Sequence, residues 1–348
     1  MIRTVFSATI NYDHPQRGME TALRGIFGQD RVHTFDYYQR LMKLGNQNKF
    51  KPTVNGEFLR AAVAAKPDWV WLQLQDTEII TADTLAKLRQ ALPKAVITHW
   101  TGDCRPQVSA YLSSICKATD ITLVSSTGQL PMFRAAGAPR AEYCQIGLDF
   151  EEDVLGIPDW TPPFRVPAAV FIGNYYEKAF QKGTEERRVA IEALVKAGID
   201  VGVVGTGWPK GIPVAGRCGV KQQHHVWKRA KVCLNINHFN DIERYYSDRQ
   251  LIAMASGRPV VCARVPGLEE EFRDGRECRM FPSLMTPPES ANAQLVEFVK
   301  GLLDNPERSN QMGHAGRLCV VSKHTWFNRF TELLPVIEEL RKAKERLQ

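Results

Sequence analysis

Short apolar runs alternate along this chain with amphipathic stretches of helical period. Arg3–Ile10, Val32–Phe35, Asp68–Leu74, Ala95–Trp100, Asp120–Val124 and Glu142–Ile146 have the near-continuous apolar character of buried strands. Between them Gly18–Phe27, Gly56–Ala65, Thr81–Ala91, Val108–Lys117 and Gln129–Ala136 read as helices, with Thr81 as an N-cap. This alternation predicts a parallel sheet covered on both faces. Pro158–Pro167, with Pro162 and Pro163 inside it, breaks the pattern and reads as an interdomain linker. The alternation then restarts: strand Ala168–Ile172, helix Glu185–Ala197, strand Val201–Val204, helix His225–Ala230, strand Val232–Ile236, and later helices Ala291–Leu303 and Pro306–Ser322. In His324–Arg346 the residues Trp326, Phe330, Leu333, Leu334, Ile337 and Leu340 share one helical face. A chain of 348 residues suits two cores. The expected plan is α/β with two doubly wound domains, 1–157 and 168–322, joined by a linker at 158–167. The C-terminal helix, 323–348, packs either on its own domain or back on the first.

The stretch from Ser247 to Glu269 carries the most chemistry. Ser247 is placed to cap a helix, Gly257 and Pro259 end it, Val260–Ala263 forms a buried strand, and Val265-Pro266-Gly267 turns into a second helix. In a doubly wound sheet ligands collect at the carboxyl ends of strands. Arg249, beside Asp248 in the first turn of its helix, stands where unpaired backbone N–H groups already favour an anion, and its guanidinium can pair with a diphosphate. The alternative for Arg249 is a surface ion pair, and for Ser247 a plain cap. Gly267-Leu268 allows backbone amides to approach phosphate or sugar hydroxyls, while Glu269 is either a hydroxyl ligand or a helix-dipole partner. Gly173-Asn174 follows the first strand of the second domain, at the usual site of a nucleotide-binding turn; Gly205-Thr206-Gly207 lacks the third glycine of a dinucleotide fingerprint. Tyr175, Tyr245 and Tyr246 either stack on a base or pack at the rim.

Ser247, Arg249, Ala253, Ala255, Gly257, Gly267, Leu268 and Glu269 together resemble the donor-nucleotide segment of GT-B glycosyltransferases with a group-1 type C-terminal domain, as found in spore-maturation-like and phage-encoded members. Ile252 stands where that pattern has a glutamate for the donor ribose. Trp100-Thr101-Gly102-Asp103-Cys104-Arg105 resembles the W-x-G-D-x-R element of these enzymes. The resemblance implies two Rossmann-like domains facing across a cleft, and transfer of a sugar from a nucleotide-diphosphate sugar, UDP-sugars foremost, to an acceptor hydroxyl, with no tightly bound cofactor. Asp103 and Arg249 would be catalytic. Gly173, Asn174, Ser247, Asp248, Arg249, Gly267, Leu268 and Glu269 would hold the donor, and Asn11, Asp103 and Arg105 the acceptor. Asp103 would act as base or only position the acceptor; its bland alternative is a helix cap. Because some such members decorate phage DNA, a hydroxymethylated pyrimidine in DNA is one acceptor class. Polysaccharide, lipid and protein are others, and a non-catalytic module binding nucleotide sugar or nucleic acid is the rival reading.

Composition narrows the picture modestly. Charged residues at 24% and hydrophobic ones at 44% are ordinary for a globular chain. The net charge of +7 suits nucleic acid or an anionic sugar nucleotide, but no long Lys/Arg run appears. Eight cysteines without a C-x-x-C pair read as reduced thiols. With no apolar stretch long enough to span a membrane and a chain that opens directly as a strand, the expected location is cytoplasmic. His99, His224 and His225 lack metal-ligand spacing, and there is no Asp-x-Asp, so no metal is expected. Neither G-x-x-x-x-G-K-[ST] nor G-x-S-x-G occurs, which removes P-loop hydrolysis and esterase chemistry.

Overall fold

The computed structural model describes residues 1–10, 17–149, 154, 159–178, 180–282 and 290–346. Two compact units divide the chain: Met1–Gly147 with Trp326–Gln348, and Leu148–Thr325.

The first unit holds a six-stranded parallel sheet in the order β2-β1-β3-β4-β5-β6, with β1 Val5–Thr9, β2 Val32–Asp36, β3 Trp69–Gln73, β4 Val96–Thr101, β5 Ile121–Val124 and β6 Ala141–Tyr143. Every residue of β1, β3, β4 and β5 is buried, as expected of strands covered on two faces. The helices are α1 Arg17–Phe27, α2 Tyr37–Lys43, α3 Lys51–Ala65, α4 Ala82–Ala91, α5 Ala110–Ala118 and α6 Leu130–Ala135. Thr81 caps α4, its side chain accepting from the Thr84 N–H. Helix α2 was not legible in the pattern; Asp36 starts it by accepting from the Gln39 N–H at 2.8 Å. The strand order reverses between β1 and β3, so their carboxyl ends open a crevice.

In the second unit the order is β12-β11-β10-β7-β8-β9, again parallel, with β7 Ala169–Ile172, β8 Val201–Val204, β9 Val214–Gly216, β10 Val232–Asn235, β11 Val260–Ala263 and β12 Arg279–Phe281. This is the Rossmann order, with its switch point between β7 and β10. Around it lie α7 Gln181–Lys196, α8 Gln223–Arg229, α9 Asp248–Ala255, α10 Ser290–Asp304 and α11 Pro306–Lys323. After β11 the expected second helix is only a single 3-10 turn, Leu268–Glu270, because Gly267 enters it in the left-handed region at φ 72°.

The last helix, α12 Trp326–Arg346, packs against α1 in the first unit. Its Phe330 ring meets Trp71 at 4.9 Å and its Trp326 ring meets Trp100 at 5.1 Å, both edge to face. Trp69 and Trp100 satisfy their indole N–H groups on Thr98 Oγ1 and the Cys144 carbonyl. The first compact unit runs to Gly147, where a side chain would collide with the Trp326 backbone. The described part of the proline-rich segment lies on the second unit: Phe164 covers Gly216, and Arg165 pairs with Asp200.

His99, in β4, is fully buried; its Nε2 donates to the Leu74 carbonyl at 2.9 Å, and burial pushes its pKa down to about 4. The unfolded chain therefore takes up this proton near pH 6.5 and the folded one only near 4. Stability from keeping His99 neutral is present above about pH 6.5 and lost as pH falls toward 4, on the order of 3 kcal/mol. Urea unfolding from pH 7.5 to 4.5 should show a falling midpoint, with a shallower slope in His99→Gln. Equal slopes in the two proteins would contradict this role.

Candidate functional site

The switch point of the second unit gathers four polar side chains, each with one buried polar atom that makes no hydrogen bond. Arg187 projects from α7 and is completely buried. Its Nε donates to the Ile236 carbonyl at 2.9 Å, its Nη1 to the Asn174 carbonyl and to His238 Nε2 at 2.8 Å, and its plane lies 5.3 Å from the Phe171 ring. Nη2 is buried with no hydrogen bond. Neither flanking acid forms an ion pair with it: Glu185 pairs with Arg188, and Glu186 accepts from Asn240 and acts on Arg187 only through its charge. His238 accepts from Arg187 through Nε2, so its proton sits on Nδ1, which is also buried and unbonded. Ser247 Oγ and Arg249 Nε complete the set.

Charge explains why this arrangement points to an anion. Burial, and then the neighbouring Arg249, hold Arg187 well below the usual arginine range, and burial with both guanidiniums drives His238 down to about 2. Among the described residues neither Arg187 nor Arg249 forms an ion pair. Two cations held together in a low-dielectric crevice repel, and their buried donors lack acceptors; a bound anion removes both costs. The first turn of α9 adds its dipole.

The remaining donor candidates serve mostly to build the crevice. Ser247 begins α9 but makes no cap, its Oγ being free of any partner; Asp248 Oδ1 instead accepts from the Arg249 N–H. Asn174 Oδ1 accepts from Thr206 N and Oγ1, tying the loop after β7 to the loop after β8, and Gly173 O receives the Trp208 indole N–H. Gly267 packs against Arg244, where a Cβ would come within 2.8 Å of Arg244 Cγ; Leu268 is buried, and Glu269 is neutralised by Arg264. Arg244 also holds Glu270 and Glu271. Ile252 is buried in the core, 3% exposed. Tyr246 is buried against Phe272, and Tyr175 packs on Trp208.

In the first unit Asp103 is exposed beyond the carboxyl end of β4. Arg105 is buried as a brace: its Nη2 donates to Thr101 Oγ1 at 3.1 Å and Gln75 Oε1 at 3.3 Å, and Nη1 lies 3.6 Å from Asp76. Asp76 was missed in the sequence; it is half exposed just beyond β3, next to the strand-order reversal, and receives the Ser109 hydroxyl. Asn11, with Tyr12 and Asp13, lies outside the described residues. Among the described residues no group of three His, Cys, Asp or Glu side chains could hold a metal ion, and no helix is long and apolar enough to cross a membrane.

Comparison with solved structures identifies the architecture. The chain is similar to HepE from Anabaena, solved with UDP-glucose, at 12% identity over 97% of this chain and 100% of that one, with a TM-score of 0.60. A glycosyltransferase from Rickettsia africae gives 0.62 at 11% identity over 97% and 98%, and sucrose-phosphate synthase from Thermosynechococcus elongatus 0.56 at 14% over 98% and 100%. The fold is GT-B, with two Rossmann-like α/β domains. Within it, residues 186–335 match the glycosyl transferase-like family model, a span that contains Arg187, His238, Ser247 and Arg249. No curated protein matches the sequence.

Removing one of the two guanidiniums should relieve repulsion in the free protein and weaken the bound state. Arg249→Met is expected to melt at or above the wild-type temperature without ligand, yet to lose most of the stabilisation that pyrophosphate gives the wild type, at a cost of about 1.5–3 kcal/mol in binding. Thermal melts with and without pyrophosphate read both effects; an unchanged pyrophosphate shift in the variant would contradict the assignment.

Proposed function

We propose that this protein is a glycosyltransferase that binds a nucleotide-diphosphate sugar at the switch point of its second unit and moves the sugar to an acceptor hydroxyl. The observation that carries this reading is the paired, carboxylate-free guanidiniums of Arg187 and Arg249 with the unbonded donors of His238 and Ser247. The family match over these residues and the UDP-glucose bound in HepE support it. In this reading a UDP-sugar is the co-substrate, and no tightly bound cofactor takes part.

The chemistry follows from where charge develops. As the bond from the sugar's anomeric carbon to the distal phosphate breaks, negative charge grows on the leaving diphosphate. Arg187 Nη2 and Arg249 hold it in a crevice where water screens poorly, which lowers the barrier. His238, kept neutral, donates through Nδ1 without adding a third charge, and Ser247 Oγ can donate beside it. Two guanidiniums supply the positive charge needed without a metal ion. Within the first unit the candidate for binding an acceptor hydroxyl is Asp103, as base or as positioning group, with Asp76 in the loop after β3. The spore-maturation and phage-type resemblance of the Ser247–Glu269 segment makes a hydroxymethylated pyrimidine in DNA one acceptor to test beside polysaccharide, lipid and protein hydroxyls. The free, mostly buried cysteines fit a cytoplasmic setting.

A second reading, a binding module without transfer, is favoured by one observation: Ile252 presents no polar group for a ribose. Calorimetric titration with UDP, GDP, ADP and CMP, paired with incubation with the matching sugar nucleotide, separates the two. We expect one nucleoside diphosphate to bind selectively, Arg187→Met and Arg249→Ala each to weaken it by about 10–100-fold, and the sugar to be released slowly to water or passed to an acceptor. Binding with no turnover supports the module, and binding to none of the four sinks the donor site. Ile252→Glu, which would bury a carboxylate in the core, should lower stability without raising nucleotide affinity. A tenfold gain in affinity would instead show that the ribose reaches this turn of α9.

A further inference from the structure

Residues 201–240 contain six Lys/Arg and no Asp or Glu, so this stretch alone carries +6 of the chain's +7. The cations are scattered, and the signal is the missing acids. All six, Lys210, Arg217, Lys221, Lys228, Arg229 and Lys231, are exposed. Elsewhere in the same unit Arg165, Arg188, Arg264 and Arg279 each hold a carboxylate. Among the described residues Lys210, Arg217, Lys228, Arg229 and Lys231 form no ion pair.

Their placement concentrates this charge along α8. Val226 and Trp227 face inward and are fully buried, which turns Lys228 and Arg229 outward, while Lys221 stands just before the helix. At the far end Arg258 Nε donates to the Lys228 carbonyl at 3.0 Å, and Arg317 Nη1 to the Ala255 carbonyl at 2.7 Å, bringing two more cations beside the last turns of α8 and α9. From Lys221 to Arg229 the rise is about 12 Å, the axial span of three or four phosphates of one strand.

We propose that this strip, formed by Lys221, Lys228 and Arg229 with Arg258 and Arg317, binds the sugar-phosphate backbone of a nucleic acid duplex. A row of cations along a segment whose sequence holds no Asp or Glu gains by releasing the counterions of a dense polyanion, and needs no base contacts to do so. A membrane surface fits less well. Helices that lie in a bilayer interface insert an apolar face, whereas the apolar face of α8 is buried in its own unit. The strip shares none of the four donor-site side chains, so the inference stands on charge placement alone, and it gives the DNA-acceptor option a specific contact surface.

The test is fluorescence anisotropy of a labelled 20-base-pair duplex with the full chain between 50 and 200 mM salt. About four phosphate contacts predict a log–log salt slope near −4. The triple variant Lys221→Glu, Lys228→Glu, Arg229→Glu should weaken binding at least 100-fold and leave UDP titration unchanged. A matched reversal of exposed cations on the other unit, Lys43→Glu, Lys66→Glu, Lys94→Glu, should change it little. The proposal is overturned by wild type that ignores the duplex at 50 mM salt, by equal losses in the two triple variants, or by strip-dependent capture of phosphatidylserine vesicles without duplex binding. Duplex binding by a protein that fails to bind UDP would sink the donor reading and leave this one standing.

Discussion

A fully buried guanidinium, Arg187, beside the partly buried Arg249, with no ion pair to either among the described residues, is the constraint on which the functional reading depends. Arg187 is wholly buried and anchored by two backbone carbonyls and a histidine, so it cannot swing out to solvent without breaking three hydrogen bonds. Arg249 comes from a different helix and adds a second positive charge to the same place. A fold keeps such an arrangement at a cost of several kcal/mol unless something negative completes it. Among the described residues no acid forms an ion pair with either, although Glu185, Glu186 and Asp248 all lie within two residues of one arginine or the other. Each of those acids is engaged elsewhere: on Arg188, on Asn240, and on a backbone N–H of α9. Donors and charges of this kind suit a bound anion such as a phosphate.

The sheet determines where these side chains lie. In the order β12-β11-β10-β7-β8-β9 the connections leave β7 and β10 in opposite directions, and the loops that follow them cannot close over the gap. Asn174 follows β7 and His238 follows β10, while α7 and α9 bring Arg187 and Arg249 to the same edge. Asn174, Thr206 and Trp208 brace one side of the gap through hydrogen bonds between loops, and Arg244, Arg264 and the acids after Gly267 brace the other. The side chains with unbonded donors are thus few, and most of the motif around them is scaffold.

That division explains what could be read in the sequence. The two sheets were legible because strands buried on both faces leave apolar runs that no surface element imitates; the three-residue strands β9 and β12 were too short to leave one. Arg249 and Ser247 were legible as candidates because their position at a helix start, after a recognisable pattern, implies unpaired N–H groups. Arg187 was not: an arginine following two glutamates on a helix looks like a solvated ion pair, and only the structure shows both acids turned away. His238 stands in no motif, and only the structure brings it against Arg187. Leu268, Asn174 and Glu269 sit in the expected segments, yet their side chains are committed to packing, to Thr206 and to Arg264, distinctions that depend on side-chain direction and not on spacing. Arg105 likewise proved to be a brace, while Asp76, in no motif, stands open beside it.

The most direct measurement is a crystal structure of the protein with UDP bound. The account predicts the diphosphate within hydrogen-bonding distance of Arg187 Nη2, His238 Nδ1, Ser247 Oγ and Arg249, at the carboxyl ends of β7 and β10. A diphosphate bound elsewhere, with those four donors still unpartnered, would contradict it.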